Sequence, residues 1–186
     1  MNNKITYKPV NIPESGIKLT DKDEIQMYVY GGKGRFRLKS LRSEKQFTYK
    51  ISPMSKHNKN YDEYTFYVSL VVPGGTTFMG VLKSEENKYI HAKRSTLAYD
   101  SSEAKGFRWL LEQFEKEDDF PEMMEFYHMG ICSCCAKTLT IPESIQLGIG
   151  PVCFERYGNK RLKKLMHLKK KIEQKMARKA KTLAGN

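Results

Sequence analysis

All four cysteines of this 186-residue chain, Cys132, Cys134, Cys135 and Cys153, fall within 22 positions. Thiols used only as small core hydrophobes scatter along a sequence, so clustering this tight points to shared chemistry. Cys132 and Cys135 form a Cys-x-x-Cys pair, the spacing at which two thiolates face one metal across a tight turn. Cys153 follows Pro151 and stands where a helix is expected to begin. There the positive end of the helix dipole favours its ionised, metal-binding form. His128 precedes Cys132 and completes a tetrahedral set. The spacing therefore predicts a structural Zn²⁺ site of His128, Cys132, Cys135 and Cys153, with no coordination position left open for catalysis.

Other uses of the same thiols are weaker. Cys134 competes with His128 for the fourth position, but adjacent Cys134 and Cys135 must then turn to one ion, which costs backbone strain. A redox Cys-x-x-Cys opens a helix in a thioredoxin-like unit, and no βαβ pattern surrounds this one. Disulfides need an oxidising compartment, and the run Met1-Asn2-Asn3-Lys4-Ile5-Thr6-Tyr7 carries no apolar signal core. The expected location is the cytoplasm.

Three blocks give the cluster a relative: Cys132-Ser133-Cys134-Cys135, then Leu139-Thr140-Ile141-Pro142-Glu143-Ser144-Ile145, then Gly148-Ile149-Gly150-Pro151-Val152-Cys153. With this pattern, His128–Cys153 resembles a short cysteine-rich domain of unknown function found in phage and bacterial proteins. The upstream part more loosely resembles small phage proteins in which that module follows a β-rich domain ending in a helix. The resemblance implies a zinc-finger-like module encoded by a phage or prophage, acting in the host cytoplasm. It implies no established activity.

Charge is distributed as unevenly as cysteine. Between Phe154 and Asn186 twelve Lys/Arg face two acids, Glu155 and Glu173, giving that segment +10 of the chain's net +12. A local basic field concentrates polyanions by counterion release, without sequence readout. The nucleic-acid-contacting candidates are Lys160, Arg161, Lys163, Lys164, Lys169, Lys170, Lys171, Lys175 and Arg178. The plain alternative is a solvated face on a soluble helix; an acidic protein or a membrane surface would meet the same charge. No apolar run approaches the roughly 20 residues that span a bilayer.

The remaining chain reads as one α+β body. Residues 1–22 form an extended arm with Pro9, Pro13 and Gly16, and 23–118 the body. Residues 119–158 are the zinc-binding module, and 159–186 a basic C-terminal helix with a narrow stripe of Leu162, Leu165, Met166, Ile172 and Met176. Within the body, 26–30, 35–39, 46–51, 64–72 and 77–82 read as strands of an antiparallel meander of four to six strands, with a short one at 89–91. Arg35, Arg37 and Lys39 lie on the face opposite Phe36 and Leu38. Ser101-Ser102-Glu103 opens a helix over 101–116 whose Phe107, Leu110, Leu111 and Phe114 form one stripe. That stripe is expected to cover Phe47, Tyr49, Phe66, Val68, Leu70 and Phe78. Glu112–Glu125, with seven acids and one lysine, reads as a charged helix end and linker.

No motif nominates a catalyst. Gly148-Ile149-Gly150-Pro151 lacks the Gly-Lys-Ser/Thr of a phosphate loop, and its glycines better serve a turn delivering Cys153. His57, His91 and His167 are isolated and read as surface residues. A zinc deaminase would need His-x-Glu with Pro-Cys-x-x-Cys, which is missing. The expectation is a non-enzymatic, zinc-binding accessory protein that contacts nucleic acid non-specifically through its basic helix. The rival is a protein-interaction module that inhibits or redirects a host factor such as a defence complex.

Overall fold

The computed structural model describes residues 13–158. The chain divides after Gly150 into two compact units. The first contains, in chain order, β1 (Ile17–Leu19), α1 (Lys22–Val29), β2 (Arg35–Ser40), β3 (Gln46–Pro53), β4 (Thr65–Val72), β5 (Gly75–Lys83), β6 (Lys88–His91), α2 (Ser102–Gln113), β7 (Met124–His128) and α3 (Pro142–Leu147). The described part of the second is the short helix α4 (Pro151–Cys153) and a π-helical turn at Phe154–Gly158. No described helix is long and apolar enough to cross a membrane.

The strands form one antiparallel sheet in the order β1-β7-β2-β3-β4-β5-β6, which makes the fold α+β. From β2 to β6 neighbours in sequence are neighbours in space, as short turns dictate. Alternation sets the faces: Phe36 and Leu38 are buried, while Arg35 is exposed and Arg37 and Lys39 are half-buried on the other side. Tyr49, Ile51, Val68, Leu70, Met79, Leu82 and Phe126 complete the inner face. Helix α2 lies on it with Phe107, Leu110, Leu111 and Phe114. Its start is fixed twice, by the Ser101 hydroxyl accepting the Ala104 N–H at 3.2 Å and by the Tyr49 hydroxyl donating to the Glu103 carbonyl at 2.8 Å.

Four features depart from the sequence expectation. The 26–30 run is helical. Asp21 caps α1 by accepting the Glu24 N–H at 2.9 Å, and Asp23 and Glu24 occupy the first turn. Within the expected arm, Ile17–Leu19 is an edge strand. The expected linker ends in β7, which enters the sheet between β1 and β2. Phe78 lies outside the core: the register shifts between Val68 and Ser69, and the Phe78 ring packs edge-on against Tyr67 at 5.7 Å. Phe47 packs against the core only partly buried.

Phe107 is fully buried, 5.4 Å from the Tyr49 ring and 5.3 Å from that of Tyr89. Phe107→Ala is expected to destabilise the body by about 3–5 kcal/mol, read from the midpoint of urea unfolding at unchanged slope.

Candidate metal centre

Strand β7 delivers the cysteine segment. Immediately after His128 the chain turns through Gly130 (φ 68°) and forms a miniature hairpin, with Ile131 bridged to Thr138. The Cys132 N–H donates to the Lys137 carbonyl at 2.8 Å, and the Ala136 N–H to the Cys132 carbonyl at 2.9 Å. Ala136 adopts φ 62°, a left-handed conformation that closes the turn around the Cys-x-x-Cys pair. The hairpin is pinned from both sides. Ser133 accepts the Lys33 N–H at 2.7 Å through its carbonyl, and its own N–H donates to the Gly148 carbonyl at 3.0 Å.

The return path is equally determined. Pro142 starts α3, where a missing N–H costs nothing, and Gly148 ends it at φ 68°. A Cβ at Gly148 would stand 2.4 Å from Cδ2 of Tyr28, so only glycine lets the chain pass. Leu139, Ile145 and Ile149 bury together with Cys132 to give this segment a small apolar interior. The Gly150 N–H then donates to the Cys132 sulfur at 3.3 Å. The glycines thus shape the turn that leads to Cys153.

The ligand atoms of Cys132, Cys135 and Cys153 all lie within 4.8 Å of one another. Tetrahedral zinc thiolates at about 2.3 Å place their sulfurs about 3.8 Å apart, so the spacing fits a metal ion without rearrangement of the backbone. The electrostatics agree. The Cys132 thiol is pulled down to about 4, first by its hydrogen bond with the Cys134 side chain and then by the N–H groups of Gly150, Cys134 and Cys135, against the opposing effect of burial. A sulfur that accepts several backbone N–H bonds is already in the form a metal binds. None of the four cysteines is in a disulfide.

Three of the four expected ligands are brought together and His128 is not among them. The imidazole is fully buried, its ring 5.2 Å from that of Tyr28. Nδ1 accepts the Gly130 N–H at 3.2 Å, and Nε2 meets the Ile145 carbonyl at 2.6 Å. Both nitrogens therefore serve the backbone, which fixes the neutral tautomer with hydrogen on Nε2. Sequence spacing could not show this, because the backbone partner, the Ile145 carbonyl, lies within α3, seventeen residues on. Cys134 is half-buried beside Ser133, 3.8 Å from its hydroxyl. His57 is exposed, whereas His91 is bonded at both nitrogens, to the Tyr89 hydroxyl and the Leu97 carbonyl at 2.9 Å each. His167 and the basic candidates from Lys160 to Arg178 lie outside the described residues.

Residues 123–158 match the model of a family of unknown function (DUF6011). The matched segment begins at the start of β7 and takes in all four cysteines. No curated protein and no solved structure matches the chain.

Burial holds the His128 pKa below its ordinary value, outweighing the Ile145 hydrogen bond. The unfolded chain therefore takes up a proton near pH 6.5 that the folded chain refuses, so this contribution is complete above about 6.5 and declines below it. Urea unfolding between pH 7 and 5 should show stability falling with acid, with a shallower slope in His128→Gln, whose amide retains a donor for Ile145. His128→Ala strands the Gly130 N–H and the Ile145 carbonyl, and should cost about 1–3 kcal/mol at neutral pH.

Proposed function

We propose that this chain is a non-enzymatic accessory protein that holds one structural Zn²⁺ through Cys132, Cys135 and Cys153 and contacts nucleic acid through its lysine-rich C-terminal segment. The convergence of three thiol groups within 4.8 Å carries the metal reading. Zinc is the ion that thiolates at Cys-x-x-Cys spacing select, and it needs no redox partner. Cys134 takes the fourth position in this reading. Its side chain is hydrogen-bonded to the Cys132 sulfur and needs only to turn toward the three sulfurs that already converge, whereas His128 would have to surrender two backbone hydrogen bonds and leave a buried site. Four thiolates leave the metal closed to substrate, which fits a structural role.

The nucleic-acid half of the proposal rests on charge: the +10 carried beyond Val152–Cys153 is a strong local field for phosphates. A phage-type protein acting in a DNA or RNA transaction would use such a segment for non-specific attachment. An interaction with an acidic host protein is the competing outcome. Capture of the same partner from cells with and without nuclease treatment separates the two, since a protein partner survives the nuclease.

Protein purified without chelator should contain one zinc per chain by elemental analysis, and Cys132→Ser should lose it. With Co²⁺ in place of zinc, Cys134→Ser should weaken the sulfur charge-transfer bands while His128→Gln leaves the spectrum intact; unchanged charge-transfer bands in Cys134→Ser together with shifted d–d bands in His128→Gln return the fourth position to His128. Neutralising Lys169, Lys170 and Lys171 together should reduce the log–log salt slope of duplex DNA binding by about 2.7, at about 0.9 per phosphate contact.

A further inference from the structure

Among the described residues, helices α1 and α2 pack on one face of the sheet. Tyr28 of α1 and Phe107 of α2 both pack on the side that carries Phe36, Tyr49 and Phe126. The opposite face is made of the alternate residues, and these include cationic and aromatic side chains. Arg35 of β2 stands directly across from Lys50 of β3, both exposed. Arg37, next on that face, pairs across β7 with Tyr127. On the far side of β3, Tyr67 and Phe78 form an aromatic pair with the Arg94 guanidinium 4.9 Å above the Phe78 ring.

We propose that this open sheet face binds single-stranded nucleic acid, with bases stacking on Tyr127 and Tyr67 and phosphates held by Arg35, Arg37 and Lys50. Charge complementarity selects a polyanion. Like charges placed directly opposite on neighbouring strands repel, and a phosphate between Arg35 and Lys50 turns that repulsion into attraction. No ion pair to either residue occurs among the described residues. On this face Glu125 is engaged with Lys18 at 2.9 Å and Lys39 at 3.5 Å, so it neutralises the β1 end, while the Arg37 guanidinium also donates to the Glu14 carbonyl at 3.5 Å. The aromatics select the strand state. Tyr127 is level with Arg37 and Thr48 and Tyr67 with Ser52, so the two lie three strands apart and four residues apart along the strands, about 20 Å at about 4.8 Å per strand and about 3.3 Å per residue. Both rings are half-buried, and the surface they leave to solvent stacks with unpaired bases, whereas a duplex keeps its bases to itself.

The residues of this surface are neither the candidate metal ligands nor the lysines of the C-terminal segment, so its test alters neither. Full-length protein is titrated against fluorescently labelled oligo-dT and oligo-U, with heparin as a polyanion that has no bases. Arg35→Gln/Lys50→Gln should weaken oligonucleotide binding and lower the salt slope by about 1.4, at about 0.7 per single-strand contact. Tyr127→Leu/Tyr67→Leu should weaken it about tenfold with an unchanged slope and no effect on heparin. The milder Tyr67→Leu alone serves if the double variant fails to fold, and unchanged zinc content shows that the metal centre is not the cause of any loss. Aromatic variants that bind like the parent would reduce the face to a general polyanion surface and overturn the proposal. So would glutamine variants that bind like the parent.

Discussion

One buried imidazole joins the two parts of this molecule that matter for function. His128 ends β7 inside the sheet, and its two nitrogens reach the backbone at Gly130 and at Ile145. Through them a single side chain connects the strand, the base of the cysteine hairpin and α3. Only a neutral ring can accept at one nitrogen and donate at the other, so the burial that lowers its proton affinity also maintains the joint. Tyr28 reinforces it: its hydroxyl lies 3.1 Å from the carbonyls of both Arg35 and Ile131 and accepts the Arg35 N–H at 3.3 Å. The position of Cys132 follows from these contacts.

A zinc finger that folds only with its metal has no other source of order. Here the hairpin at 131–138 is hydrogen-bonded to itself, to Lys33 and to the Gly148 turn, and it is backed by Leu139, Ile145 and Ile149. Cys132 is thereby held in place, and the N–H groups that would accompany a bound thiolate are already directed at its sulfur. Metal binding at such a site is expected to spend little on ordering the hairpin, which raises affinity by preorganisation. The sheet, whose core lies with α2, does not depend on the ion in the same way.

Where a residue's role is set by local periodicity, it was legible from the sequence. The alternation in 35–39 and 46–51, the N-cap at Ser101 and the stripe on α2 all follow directly from spacing, as does the meander from β2 to β6. The helix α1 is not evident from spacing because Gln26-Met27-Tyr28-Val29-Tyr30 is buried on nearly every side, polar Gln26 included. Burial against β7 and the hairpin hides the helical period, leaving the cap at Asp21 as the one clear signal. Strand β7 was obscured by the acids that precede it, and its partners lie about a hundred residues away in β1 and β2. Phe78 turned outward because a bulge inverts parity, which no period-two count can anticipate. At the site, the Cys-x-x-Cys and Cys153 were evident from spacing. The fate of His128 was not, since spacing says nothing about which carbonyl of α3 waits for it.

Strand β7 also explains why the two faces of the sheet belong to one design. Successive residues point in opposite directions: Phe126 stacks on Phe36 at 4.7 Å in the core, Tyr127 faces outward beside Arg37, and His128 turns inward again to the cysteine segment. The register that seats His128 therefore also sets Tyr127 on the cationic face, and a slip of one residue would lose both. Edge strand β1, only three residues long, holds that register by pairing Ile17 with His128 and Leu19 with Phe126, while the Lys18–Glu125 pair closes the outer side. A piece of the expected extended arm, Ile17–Leu19, is thus what keeps β7 internal. With β7 internal, the cysteine hairpin projects from a strand paired on both sides rather than from a frayed edge.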